Sequence, residues 1–201
     1  MSGPVGEPVL PTEPLELRPV RPQHADSIFA LTQSSRAHLA PWMPWIHTTA
    51  DRAATLEFVR QAMAQESAGN GTQFGIWWGG QLAGVIGYHP IRWPEREADI
   101  GYWLGQGFEG RGLVTRSACA VLDQAFLTLG LNTIGIRTAE ANRRSQRVAE
   151  RLGFSRVGVL SEGEWFVDHW IPLVVYQLAA AQWPGPLKPA QGSPAVILPG
   201  S

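Results

Sequence analysis

Cysteine is nearly absent. Cys119 is the single one in 201 residues, which excludes an internal disulfide and a cysteine-rich metal site and suits a reducing compartment. An excess of either charge is missing too. Sixteen Lys+Arg against seventeen Asp+Glu leave a net charge of -1, so nothing global draws the chain to nucleic acid or to an anionic membrane, and any anion it binds must be held locally. No apolar run nears the roughly 18 to 20 residues of a membrane span, and the N-terminus lacks the basic start and apolar centre of a signal peptide. No segment repeats at a fixed period, which removes solenoids and propellers. His38, His47, His89 and His169 show no metal-ligand spacing. The expectation is a soluble, cytoplasmic protein with no metal and with neither nucleic acid nor membrane as partner.

Nine tryptophans stand out against these absences, and such large amphipathic rings line binding surfaces as well as cores. Proline and glycine collect at the two ends. Residues 1–14 hold four prolines, and 183–201 hold five more with three glycines, so both read as flexible tails around one domain at 15–182. Within it, 15–19 is a strand, 24–34 a helix, and Leu56, Val59 and Met63 mark a second helix from about Thr49 to a turn at 67–71. Between these helices runs an apolar loop, HLAPWMPW. A hairpin follows, 73–78 and 81–91 around Gly79 and Gly80. Residues 98–104 form a strand, and a long helix carries Val114, Ala118, Val121, Leu122, Ala125 and Leu129 on one face up to Gly130. A strand at 133–139, a helix at 142–152, and a closing pair at 154–160 and 165–178 complete the order β-α-α-β-β-β-α-β-α-β-β. That order is an α+β domain with a mixed sheet.

The stretch GFEGRGLVTRSA, 107–118, puts glycines between a strand and a helix start. Amide groups at a helix start together carry about half a positive charge, and glycines let a bulky anion lie against them. The pattern is neither G-x-x-x-x-G-K-[ST] nor G-x-G-x-x-G, so it fails the fingerprints of nucleotide triphosphates and dinucleotides. A simple glycine-eased turn satisfies it equally.

About thirty residues on comes ANRRSQRVAERLGF, 141–154. The two segments in this order resemble the GNAT acetyltransferases, and with HLAPWMPW and DIGYWLGQGFEGRGLVTRS they resemble its RimJ/RimL branch, across residues 15–178. The resemblance implies a GNAT fold, a central, mostly antiparallel splayed sheet flanked by helices. It implies acetyl-CoA as the acetyl donor, with no metal, and transfer to a primary amine, such as a ribosomal protein N-terminus, within a ternary complex. Small-amine acetylation and a non-catalytic acetyl-CoA sensor are the alternatives. A homodimer is also expected, since relatives often form one.

Residue by residue, the family's pyrophosphate loop falls on Glu109, Gly110, Arg111, Gly112, Leu113, Val114 and Thr115. Gly107 stands where the family has Arg or Gln, but the loop works through backbone amides. Pantetheine is expected along the backbone near Trp103 and Leu104, with Asn142 able to bind its amides or to cap the helix. The tyrosine acid common in the family is replaced by Ala149, which leaves Ser145 as a donor to sulfur or as a small residue that lets the donor pass. A base must take the amine's proton. Glu164 is the first choice, with Trp165 beside it to desolvate it. Asp99 is the second, and equally a partner in a structural salt bridge. Trp42, Met43 and Trp45 are assigned to the acceptor rim. Cys119 sits on a core-facing helix, which argues against an acetyl-cysteine.

Overall fold

The structure, a computed structural model, describes residues 14–48 and 51–185. Most of the two proline-rich tails expected from composition lies outside them. Trp183, in the second of these tails, is described: its indole N–H donates to Asp123 at 2.8 Å and its ring packs on Phe126.

Seven strands form one sheet in the order β1-β2-β3-β4-β5-β7-β6. They are β1 (Leu15–Pro19), β2 (Gln73–Trp78), β3 (Gln81–Tyr88), β4 (Glu97–Leu104), β5 (Thr133–Ala139), β6 (Ser155–Phe166) and β7 (His169–Ala179). Every neighbouring pair is antiparallel except β4 with β5. This is the α+β mixed sheet expected from the element order, and it is mostly antiparallel, as the family resemblance implies.

Helices cover both faces. On one side lie α1 (Ala25–Ser34) and α3 (Arg52–Ser67), whose Ile28 and Val59 pack with Leu82 and Trp103. Between them sit the short α2 (Arg36–Leu39) and a 3-10 turn Pro44–His47, so the expected apolar loop is partly helical. Asp51 caps α3 by accepting from Ala54 N–H, which starts this helix.

On the other face lie α4 (Leu113–Asp123) and α5 (Arg143–Arg151). Leu113, Ala118, Val121 and Leu122 are buried at helical spacing, as the sequence pattern predicts. The helix then widens into a π turn, Gln124–Thr128. Tyr88 marks the transition: fully buried, it donates to the Val121 carbonyl at 2.7 Å. At the end of α5, Gly153 N–H bonds the Glu150 carbonyl and Phe154 N–H the Ala149 carbonyl, which closes the helix in the Schellman arrangement that L-G-F encodes.

The closing pair departs from the sequence reading. The break expected at 161–164 is an irregularity inside β6, and the actual turn falls at Val167 and Asp168, with Val167 at φ 59. Trp165 therefore lies one residue before the end of β6 and does not open β7. The run SEGEWF has no proline to mark a stop, and cross-strand pairing carries the strand through it.

The Tyr88 bond is the polar latch between β3 and α4. Tyr88→Phe keeps the packing and removes one buried hydrogen bond, so a loss of about 1 kcal/mol is expected. Thermal unfolding checks it. An unchanged Tm would mean that the bond contributes nothing net.

Candidate functional site

Beyond three paired positions, 97–99 against 133–135, β4 and β5 part company. β4 stays with β3 as far as Leu104, and β5 stays with β7 as far as Ala139. The result is a fork. Asp99 sits at its base, packed on Gly135 and paired with Arg137 at 3.0 Å. Its carboxylate is thus engaged with the sheet, the structural alternative for this residue.

His89 N–H bonds Asp99 O and Gly105 N–H bonds Ala83 O. Antiparallel alternation between these two bonds turns the backbone of Gly101 and Trp103 toward β3, and that of Tyr102 and Leu104 into the fork. Of the two residues expected there, Leu104 lines the fork and Trp103 does not. The Trp103 ring lies on the α1/α3 side, 5.9 Å from Trp45.

The loop that leaves β4 carries Gly107, Gly110 and Gly112, all at positive φ. Non-glycine residues meet a steric penalty in this region, so the glycines are required by the turn itself. A Cβ at any of the three would meet nothing within 4 Å, so the loop's outer surface is open. Gly112 is the α4 N-cap with no side chain accepting there. The first amides of α4, on Leu113, Val114 and Thr115, lack intrahelical acceptors by the geometry of a helix start. An anion fits that position by charge and by space. Gln106 N–H donates to Ser35 Oγ at 2.9 Å, which ties the loop to α1. Arg111 lies 4.3 Å over the Trp78 ring and donates to the Gly107 carbonyl. Glu109 is held by Arg144 at 2.5 Å, with His38 Nε2 3.5 Å away, so its carboxylate bridges the mouth of the fork.

On the opposite lip, Asn142 Oδ1 accepts from Ser145 N–H and caps α5. Tyr102, missed by sequence reasoning, reaches from β4 to Ser145, with its hydroxyl 2.9 Å from Ser145 Oγ. Alternation with Ile100 put Tyr102 on the inner face. Nothing local in the sequence indicated that α5 would arrive there.

Below the fork opens a concavity of about 440 Å³, walled by Pro41 and Trp42, by Glu140 and Arg143, and by Phe166, His169 and Ile171. His47 closes one side with its ring 5.6 Å from Phe166. Of the three residues assigned to a rim, Trp42 lines the concavity. Trp45 stacks toward Trp103, and Met43 accepts a turn bond from Ile46 N–H. Glu140 and Phe166 carried no pattern that would have singled them out.

Glu164 pairs with Ile171 and shares its face of the hairpin, since Phe166 opposes His169 two positions on. That is the face of the concavity. Burial raises its carboxyl above the ordinary 4.5. Trp165 does not supply that burial. It points to the opposite face, 52% exposed, with its ring 5.6 Å from Trp170. Cys119 is buried in α4 and its thiol is pushed up to about 11, chiefly by that burial.

Comparisons with known proteins bear on the family and the fold. The family model described as an acetyltransferase (GNAT) domain matches residues 14–155. A putative ribosomal N-acetyltransferase, YdaF of Bacillus subtilis (strain 168), is 29% identical over 174 residues, 86% of this chain and 95% of its own. The ribosomal-protein-serine acetyltransferase of Escherichia coli (strain K12) is 25% identical over 170 residues, 85% and 95% of the two chains. Among solved structures, the RimL ribosomal L7/L12 alpha-N-protein acetyltransferase in complex with coenzyme A aligns with a TM-score of 0.78 over 86% of this chain and 96% of its own. At 24% identity that alignment speaks for the fold alone.

A raised Glu164 pKa has a consequence for stability. A carboxyl whose folded pKa lies above its unfolded value stabilises the fold fully below the unfolded pKa and loses that contribution as pH rises through the folded one. Glu164→Gln stays neutral throughout. Its Tm is expected to exceed that of the wild type near pH 7, with the gap closing toward about pH 4. A gap that does not vary with pH would place the carboxylate in open solvent.

Proposed function

The chain belongs to the GNAT acetyltransferases, and from that membership we propose that it moves an acetyl group from acetyl-CoA directly to a primary amine, in the first place the N-terminal amine of a protein such as a ribosomal protein. One observation carries the proposal: the fork between β4 and β5 opens at one end on an anion-ready loop, and a concavity next to the end of β5 is walled by Phe166 and Ile171, whose strand face Glu164 shares. Acetyl-CoA, when bound, supplies an activated acyl carbon.

The protein's own residues do the rest. The α4 amides and the open glycine surface hold the pyrophosphate. The fork-facing backbone of Tyr102 and Leu104 pairs with the pantetheine arm as a missing strand would. Trp42, Phe166 and Ile171 exclude water from the acceptor. Glu164 takes the amine's proton, and its raised pKa brings it nearer to that of an α-amino group, about 7.7 to 8.0. Cys119, buried and protonated, is no nucleophile, which supports direct attack over an acetyl-cysteine.

A small-molecule amine is the second reading, because the concavity has the volume of an ordinary small-ligand pocket, about 300 to 1,000 Å³. The same reading carries the cytoplasm as compartment and a homodimer as assembly, and sedimentation of the full chain checks the latter.

Calorimetric titration with acetyl-CoA tests the donor site. Wild-type protein is expected to bind, and Gly110→Val, confirmed as folded by circular dichroism, to lose at least tenfold in affinity. Equal affinity in the folded variant would show that the loop is only a turn.

The acceptor side is tested with peptides starting in Ser, Ala or Met beside spermidine. Trp42→Ala is expected to raise the acceptor KM several-fold and to leave the acetyl-CoA KM alone. Equal changes in both constants would remove Trp42 from the acceptor rim.

A further inference from the structure

Two hydroxyls meet across the fork. Tyr102 Oη, on the β4 lip, lies 2.9 Å from Ser145 Oγ and 3.3 Å from the Ser145 carbonyl, on the α5 lip. Asn142 holds the Ser145 amide at 3.1 Å, so the serine backbone is fixed independently of its hydroxyl. Each hydroxyl brings one hydrogen, and one of the two is used between them. If Tyr102 gives its hydrogen to Ser145 Oγ, the serine hydrogen is free to point elsewhere. If Ser145 gives its own to Tyr102, the tyrosine hydrogen goes to the nearby carbonyl and none is left over.

We infer that Tyr102 is a positioning residue: its hydroxyl donates to Ser145 Oγ and thereby aims the serine hydrogen at the sulfur from which the acetyl group departs. The inference rests on the acetyl-CoA reading given above. Acetyl transfer makes one C–N bond and breaks one C–S bond. The amine lone pair enters the first, the C–S pair leaves on sulfur, Glu164 takes the surplus amine proton, and solvent returns a proton to the thiolate.

Within that balance the two hydroxyls donate hydrogen bonds and transfer no proton. Burial pushes the Tyr102 hydroxyl up to about 12, far above an ordinary thiol at about 8.5. Passing its proton to sulfur would run uphill. Donation to a developing thiolate is favourable, because hydrogen bonds to a charged group are the stronger kind. Ala149, one turn further along α5, is fully buried and has no donor to offer, so the hydroxyl pair is the donor that these elements present to the fork.

The test compares coenzyme A with desulfo-coenzyme A by calorimetry at about pH 8.5, where an ordinary thiol is half ionised. Tyr102→Phe is expected to weaken coenzyme A by about three- to tenfold and to leave desulfo-coenzyme A unchanged. Ser145→Ala should do the same, and the double variant no more than Ser145→Ala alone. In turnover, kcat should fall with the acetyl-CoA KM unchanged. Equal weakening of both ligands, additive effects, or no effect would each overturn the positioning role and leave the acetyl-CoA reading intact. Wild-type protein that binds neither ligand would overturn both. If Tyr102→Phe does not fold, 3-fluorotyrosine at that position keeps the shape and strengthens the donor. Coenzyme A should then bind more tightly relative to its desulfo analogue, and an unchanged ratio would overturn the inference.

Discussion

Three residue pairs, 97–99 against 133–135, join the two halves of the sheet, and the Asp99–Arg137 ion pair braces the last of them. Everything in the candidate site follows from how short this junction is. Were the parallel pairing to continue, the edges of Tyr102 and Leu104 would be filled by β5, and α5 would start too far along to meet them. Because it stops, a strand edge without a neighbouring strand is left facing the fork, partly open to solvent.

The two lips are nevertheless tied to each other. Glu109 reaches Arg144 near the loop, and Tyr102 reaches Ser145 deeper in. These contacts differ in kind. The ion pair is partly exposed and screened by solvent, so it contributes little to stability and is easily exchanged. The hydroxyl contact is partly buried and joins two neutral groups, so its strength depends on donor orientation more than on screening. A near-neutral chain thus relies on local fields: helix-start amides with space beside them, a partly buried carboxyl at Glu164, and a pair of neutral hydroxyls across the fork.

Much of this was legible beforehand because it is local. Glycines at 107, 110 and 112 announce a turn that needs positive φ, the i, i+3, i+4 apolar pattern after them announces α4, and L-G-F announces the end of α5. Asn142 was readable as a cap for the same reason. Failures came where a residue's neighbours are distant in sequence. Trp165 stands next to Glu164 in the chain and was expected to desolvate it, but adjacent residues in a strand face opposite ways. Trp103 adjoins Leu104 and was expected to share its role, but successive backbone groups in a strand also alternate. Both errors came from continuing SEGEWF and DIGYWL as neighbourhoods when they are two-sided ribbons.

By itself the sequence determined the elements, their order and the anion-ready turn, since these depend on backbone sterics and on periodicities of 3.6 and 2 within a few residues. Tertiary structure alone decided where β4 and β5 separate, that Tyr102 and Ser145 face each other, that Trp42, Glu140 and Phe166 line one space, and that Glu164 shares a strand face with Phe166 and Ile171. Those are relations between segments up to a hundred residues and more apart. They depend on strand register and helix packing, and a shift of one residue in a strand would send its side chains, Tyr102, Glu164 and Phe166 among them, to the other face.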